Sequence, residues 1–261
     1  MWGSNENDVF AVGGYGTILH FNGTTWSAQS SGTSAQLNGV WGSATNNVYA
    51  AGFNDLSGGQ KTTLLRYNGT SWTWITGLAV RNLMGVHGSS ANDVWAVSLE
   101  YGSIFHYNGT AWSIGATGSS TALYNVWAYN STNVWAVGAS GKIYYFNGST
   151  WSAQTSNIAA TENVWEVWGT SPTNVYAGWG GFSHYDGSTW SSLPQSSLYG
   201  VHGTSPSNIY AVGVLGNVRR YDGVQWATEA TPTSEALRSV WVAPSGVAFA
   251  VGKKGTIIRR N

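Results

Sequence analysis

One pattern returns along the whole chain at intervals of 34 to 46 residues, and its internal spacing limits what the chain can fold into. A ring falls at Trp2, Trp41, His87, Trp127, Trp168, His202 and Trp241. Eight residues after each comes an aromatic, at Phe10, Tyr49, Trp95, Trp135, Tyr176, Tyr210 and Phe249. That spacing never varies although the interval between copies does, so changes in length are confined to other parts of the unit. A further landmark stands at Asn22-Gly23, Asn68-Gly69, Asn108-Gly109, Asn147-Gly148, Asp186-Gly187 and Asp222-Gly223. Three residues past each Gly sits a Trp, at Trp26, Trp72, Trp112, Trp151, Trp190 and Trp226.

Asn-Gly and Asp-Gly flanked by β-forming residues predict tight hairpins of type I′. The unit therefore reads as four antiparallel strands, A to D, as in residues 37–42, 47–51, 63–67 and 71–75. A sheet of this size that is apolar on both faces cannot stand alone, and radial stacking of such units buries both faces while protecting the strand edges. The expected fold is all-β, a β-propeller occupying 1–261 as one domain. Copies start at 1, 40, 86, 126, 167, 201 and 240, so seven blades are expected, with six blades and a spare segment as the alternative. The last copy supplies A (238–242), B (247–251) and C (256–260) but neither the turn nor the outer strand. Its open edge could pair with another chain, which makes a dimer through the incomplete last blade an expectation.

Composition agrees with this reading, because 35 Gly, 16 Trp and 14 Tyr beside only 8% charged residues suit many short strands. Eleven Lys+Arg balance eleven Asp+Glu, so there is no basic footprint for nucleic acid. Without cysteine there is no disulfide scaffold, thiolate metal site or Cys nucleophile. No apolar run approaches the roughly 18 residues of a membrane helix, and the start lacks the basic and apolar regions of a signal peptide.

Residues 183–190, Ser-His-Tyr-Asp-Gly-Ser-Thr-Trp, resemble an Asp-box, and Gly13-Gly14 with Phe21 and Trp26 are similar to the glycine pair, aromatic and Trp of a kelch repeat. The spacing departs from both, since one residue is missing between Asp and Gly and the kelch glycine pair is not maintained. The resemblance implies a propeller architecture and transfers no activity, because such propellers host enzymes, lectins and adaptors alike.

A glycosidase would need two carboxylates facing one bond. Asp8, Asp93, Asp186 and Asp222 have positional explanations in turns, which leaves Glu100, Glu162 and Glu166, and no enzyme is expected. His20, His106 and His184 recur at one place in strand C, where a repeated packing or hydrogen-bonding role outweighs metal binding. No metal site and no cofactor are expected. Thirteen of the Trp residues sit at repeat positions, leaving Trp74, Trp165 and Trp179 as surplus. Loops joining B to C and D to A open on the face opposite the short turns, and function usually sits on variable loops over a rigid scaffold. The candidate ligand-binding residues are Trp179, Trp165, Tyr101, Tyr15, Glu100, Tyr124 and Tyr199. Exposed rings with polar neighbours suit neutral sugars. The expected function is thus a non-catalytic, lectin-like module, with a protein-binding or adhesin scaffold, or an excised repeat propeller, as alternatives. A glycan or extracellular protein is the expected partner, and a Ser/Thr/Asn-rich chain without Cys suits a bacterial cell surface or secreted setting.

Overall fold

A computed structural model describes residues 1–55, 61–78, 82–117, 120–194 and 197–260. The chain is a seven-bladed β-propeller. Six of its sheets have four strands in sequence order and the last has three, among the described residues. Blade 1 comprises Trp2–Asn5 (strand A), Asp8–Val12 (B), Ile18–Phe21 (C) and Trp26–Gln29 (D), and blade 7 comprises Leu237–Val242, Ala248–Gly252 and Ile257–Arg260. All neighbours pair antiparallel, and the two landmark rings lie directly opposite each other, as in Trp127↔Trp135. In blades 1–6 the A–B hairpin closes over two residues, and in blade 7 a longer turn in which Ala243 N–H donates to Val247 O keeps the same Trp241↔Phe249 pairing, so the eight-residue spacing is held in every blade. The core lies between blades. In strand B of blade 4, Val134, Trp135, Ala136 and Val137 are all at most 1% exposed, so both faces of that strand are buried.

Neighbouring blades meet through two recurring contacts. The strand-D Trp of one blade stands edge-on to the strand-B aromatic of the blade before it: Trp72 on Phe10, Trp112 on Tyr49, Trp151 on Trp95, Trp190 on Trp135, Trp226 on Tyr176 and Trp26 on Phe249. Centroid separations are 5.7–6.3 Å and interplanar angles 71–83°, the edge-to-face geometry that the ring quadrupoles favour. Nearer the axis, the strand-A Trp of one blade lies over a Gly in strand A of the next. Trp2 covers Gly42, Trp41 Gly88, Trp127 Gly169, Trp168 Gly203 and Trp241 Gly3. The last of these closes the ring. Blade 7 is joined to blade 1 by side-chain packing, with Trp241 and Phe249 buried against Val9 and Phe21.

Two strand-A positions carry His in place of Trp, and there the following blade has no Gly. His87 Nδ1 accepts the backbone N–H of Ala128 at 3.2 Å, and His202 Nδ1 accepts that of Val242 at 3.1 Å. Burial pushes both imidazoles down to about 3, so both are neutral acceptors at physiological pH.

The two kinds of hairpin differ from expectation. In the C–D turns only the glycine has positive φ, at 91–98°, and the Asn or Asp before it does not. Its side chain instead accepts two backbone N–H groups, as Asn22 Oδ1 does from Thr24 and Thr25 at 3.1 and 2.9 Å. The type I′ expectation is therefore corrected. Asn and Asp interchange here because each offers a carbonyl-type oxygen. Positive φ at two successive residues occurs in the B–C turns: Tyr15-Gly16, Tyr101-Gly102, Ser140-Gly141, Leu215-Gly216 and Lys254-Gly255. Five of these loops thus share one tight turn, closed by bonds such as Thr17 N–H to Gly14 O at 3.1 Å, and are less variable than the sequence suggests.

The strand-C histidines have the repeated bonding role expected of them. His20 and His106 lie 2.6 and 2.7 Å from Asp8 and Asp93, and His184 lies 2.6 Å from Asn174, each ring stacked on its strand-B aromatic. Asp8 and Asp93 also accept from Ser4 and Ser89, so these acids are bonding hubs of the blade rather than free turn residues.

Candidate functional site

Strand A of each blade lines the central channel, which encloses about 710 Å³. Its mouth on the B–C side is shaped by an irregularity of strand A. In blades 2, 3, 4, 6 and 7 the pairing skips one residue as the strand begins, so Asn38, Met84, Tyr124, Tyr199 and Arg238 are left without a cross-strand partner. Bulges of this kind re-aim a side chain out of the pleat. Trp165 stands at the matching place in blade 5, just before its strand Glu166–Ser171. All six residues line the channel.

Neighbours around this rim pair off. Tyr124 and Trp165 stack nearly parallel, with centroids 4.3 Å apart and an interplanar angle of 15°. Trp165 nonetheless stays 42% exposed, an unusual state for an indole. The Arg238 guanidinium lies 4.3 Å from the centre of the Tyr199 ring, a cation–π contact. One residue further along strand A come Asn125, Glu166 and Ser239 in blades 4, 5 and 7, and in blades 2, 3 and 6 the same place holds Gly39, Gly85 and Gly200, where a Cβ would press on the backbone of strand A in the following blade at 3.0–3.1 Å. Asn125 Nδ2 donates to Glu166 Oε2 at 2.8 Å. Removal from water pushes the Glu166 carboxyl up to about 8, so it is largely protonated at neutral pH. The rim is therefore aromatic with one fixed cation, over a floor of amide, hydroxyl and neutral carboxyl groups.

The structure brings Tyr124, Trp165 and Tyr199 together at this mouth and sends the other candidates elsewhere. Tyr15 and Tyr101 are the first left-handed residues of the B–C turns in blades 1 and 3, 93% and 78% exposed. Glu100 directly precedes Tyr101, and its carbonyl closes that turn by accepting from Ser103 N–H at 3.0 Å. Trp179 is half-buried against the core shared by blades 4 to 6, folded over Gly181, with Nε1 donating to Ser183 Oγ at 3.4 Å. Trp74 packs beside Trp72 on the blade 1–2 core. Arg238, Asn38 and Met84 were missed as rim residues, although each stands three places before its landmark ring, as Tyr124, Trp165 and Tyr199 do.

Among the described residues no group of three or more His, Asp or Glu side chains is placed to hold a metal ion. Glu166 makes its side-chain bond to an amide rather than to a second acid.

The fold and this axial mouth define a β-propeller with an open channel. No protein-family model and no curated relative matches the sequence. Solved structures similar to it include YCF48 bound to a D1 peptide, at 15% identity and a TM-score of 0.76 over 98% of this chain and 90% of that one. The WD40 propeller domain of Doa1 is 12% identical with a TM-score of 0.77, covering 98% and 88%. Streptogramin B lyase is 12% identical with a TM-score of 0.81, covering 99% and 91%. Identities this low establish a shared architecture and carry no activity with them.

Proposed function

We propose that this propeller is a non-catalytic binding module whose ligand enters the channel mouth, and that the ligand is the end of a neutral glycan chain. The observation that carries this reading is the Tyr124–Trp165 stack with its 42% exposed indole. An indole held rigid by a second ring and left open to water suits stacking on the C–H face of a sugar. Asn38, Asn125, Ser239 and the protonated Glu166 offer donors and acceptors to hydroxyl groups without a charge to desolvate. The resemblance to Asp-box and kelch repeats enters only as architecture. A glycan-array screen followed by fluorescence titration tests the proposal: Trp165→Ala should abolish binding of any hit while Trp179→Ala leaves it intact. Hits insensitive to Trp165 would remove the mouth as the site.

Peptide binding is the second reading. Arg238 at the rim favours it, since a chain-terminal carboxylate could pair with the guanidinium, and a propeller of this architecture has been solved with a peptide bound. Under that reading Arg238→Gln weakens the complex more than Trp165→Ala does.

A further inference from the structure

Below its mouth the channel is lined by one ring from strand A of every blade, five indoles and the two imidazoles of His87 and His202. Each indole presses its carbon edge at Cη2 on the glycine of the next blade. The nitrogen lies on another edge of the ring. Among the described residues none of these five Nε1 atoms has a hydrogen-bond partner, and unlike Nε1 of Trp135 and Trp190 none of them is enclosed. That leaves their N–H groups to the channel.

The imidazoles join this set through their tautomer. Each is neutral and its Nδ1 accepts a backbone N–H, so the proton sits on Nε2, which has no acceptor among the described residues either. A nitrogen that carries its proton has no lone pair for a metal ion. Three of the donors are contiguous in blades 5 to 7, where the ring centroids of Trp168 and His202 are 5.3 Å apart and those of His202 and Trp241 6.3 Å. Charge favours the same side of the channel. Arg238 stands three residues before Trp241 and lines the channel with it, while Glu166, the only acid lining the channel among the described residues, is largely protonated at neutral pH.

We propose that the waist of the channel binds one small monovalent anion, a halide ion or a carboxylate group, through the N–H groups of Trp168, His202 and Trp241. Hydrogen bonds to an ionised acceptor are roughly twice as strong as those between neutral groups, and ring-lined walls with little water strengthen them further. Neutral donors offset the loss of hydration of a single charge better than that of a dianion, so the site selects against sulfate. It lies deeper than the mouth and does not rest on what the mouth binds.

The test is quenching of Trp fluorescence by sodium iodide, with ionic strength held constant by sodium sulfate. A saturable component with a Kd at or below about 10 mM is expected on top of the linear collisional quenching of exposed indoles. Trp168→Phe and Trp241→Phe each keep a ring but remove one donor, and each should raise the Kd at least about fivefold. Trp179→Phe, outside the channel, should leave it unchanged. Thermal melts confirm that each variant is folded, and Trp168→Phe alone decides the matter if Trp241→Phe, at the ring closure, does not fold. Competition separates the two sources of the anion: displacement of iodide by sodium chloride assigns the site to a free halide, and displacement by sodium acetate and not by chloride assigns it to a carboxylate. The proposal is overturned by quenching that stays linear in iodide, by iodide that neither salt displaces, or by a Kd that Trp168→Phe leaves unchanged or that Trp179→Phe raises as much.

Discussion

Five axial junctions put a Trp over a Gly and two put a His beside a residue with a side chain. A Cβ on Gly42 would lie 2.7 Å from the Trp2 ring, and one on Gly88 would lie 2.6 Å from that of Trp41. The indole therefore needs a bare backbone opposite it. Ala128 and Val242 carry a Cβ, and each faces the smaller imidazole, which replaces lost contact area with a hydrogen bond to the backbone. Within the chain the two positions lie 35 to 47 residues apart on either side of a blade boundary and are chosen jointly, so the unit of design is the junction rather than the repeat.

The largest expected effect of breaking this comparison is at ring closure. Trp241→Ala removes a buried indole from the one junction that joins the chain's two ends and should cost about 3–5 kcal/mol, read by denaturant unfolding. His202→Ala strands the Val242 N–H and should cost about 1–3 kcal/mol. A larger loss at His202 than at Trp241 would reverse the ranking of the two junction types.

Next in size is an exchange of one type for the other. Gly42→Ala alone drives a Cβ into the Trp2 ring and should cost about 1–3 kcal/mol. Adding Trp2→His should recover part of that loss, because the pair then resembles His87 with Ala128. If the double variant is no more stable than the sum of the two single ones, the pairing rule is wrong.

The His junctions also carry a pH signature. Both imidazoles are held near 3 when folded and return to about 6.5 when unfolded. The unfolded chain then binds more protons, so their contribution is intact above about 6.5 and is lost as pH falls toward 3. Glu166 works the other way: its folded value of about 8 against an ordinary 4.5 penalises the folded state above pH 8 and relaxes as pH falls to 4.5. Melting temperature across pH 4–9 should therefore rise at the alkaline end in Glu166→Gln and fall less at the acid end in His87→Gln. Identical profiles for the variants and the parent would mean that neither group is buried as described.

The strand count and the blade order were legible because they rest on contacts within one hairpin, where Trp127 and Trp135 announce each other eight residues apart. The pairing of His87 with Ala128 was also printed in the sequence, forty-one residues apart, but it becomes visible only once strand A of one blade is known to touch strand A of the next. Turn chemistry misled in one place, since Asn-Gly predicts left-handed Asn22 by local propensity while its side chain is spent on two backbone N–H groups. The rim of the channel was half legible. Tyr124, Trp165 and Tyr199 stood out as rings off the repeat, but Asn38 and Arg238 are marked only by standing three residues before their landmark ring, because a bulge in the pairing rather than residue type turns them to the mouth.

The smallest predicted effect separates the two groups of candidate residues. Tyr15 holds φ 55° at the tip of its turn, a conformation that costs a residue with a Cβ roughly 1–2 kcal/mol. Tyr15→Gly removes that strain and adds about 0.5–1 kcal/mol of chain entropy to be lost on folding, so stability should be unchanged or rise by up to about 1 kcal/mol. Its ring is 93% exposed and makes no rim contact, so ligand affinity should stay within error of the parent. Loss of affinity in Tyr15→Gly with Trp165→Ala unaffected would move the binding site from the axis to the B–C turns, and the bulged rim of strand A would then be a matter of packing alone.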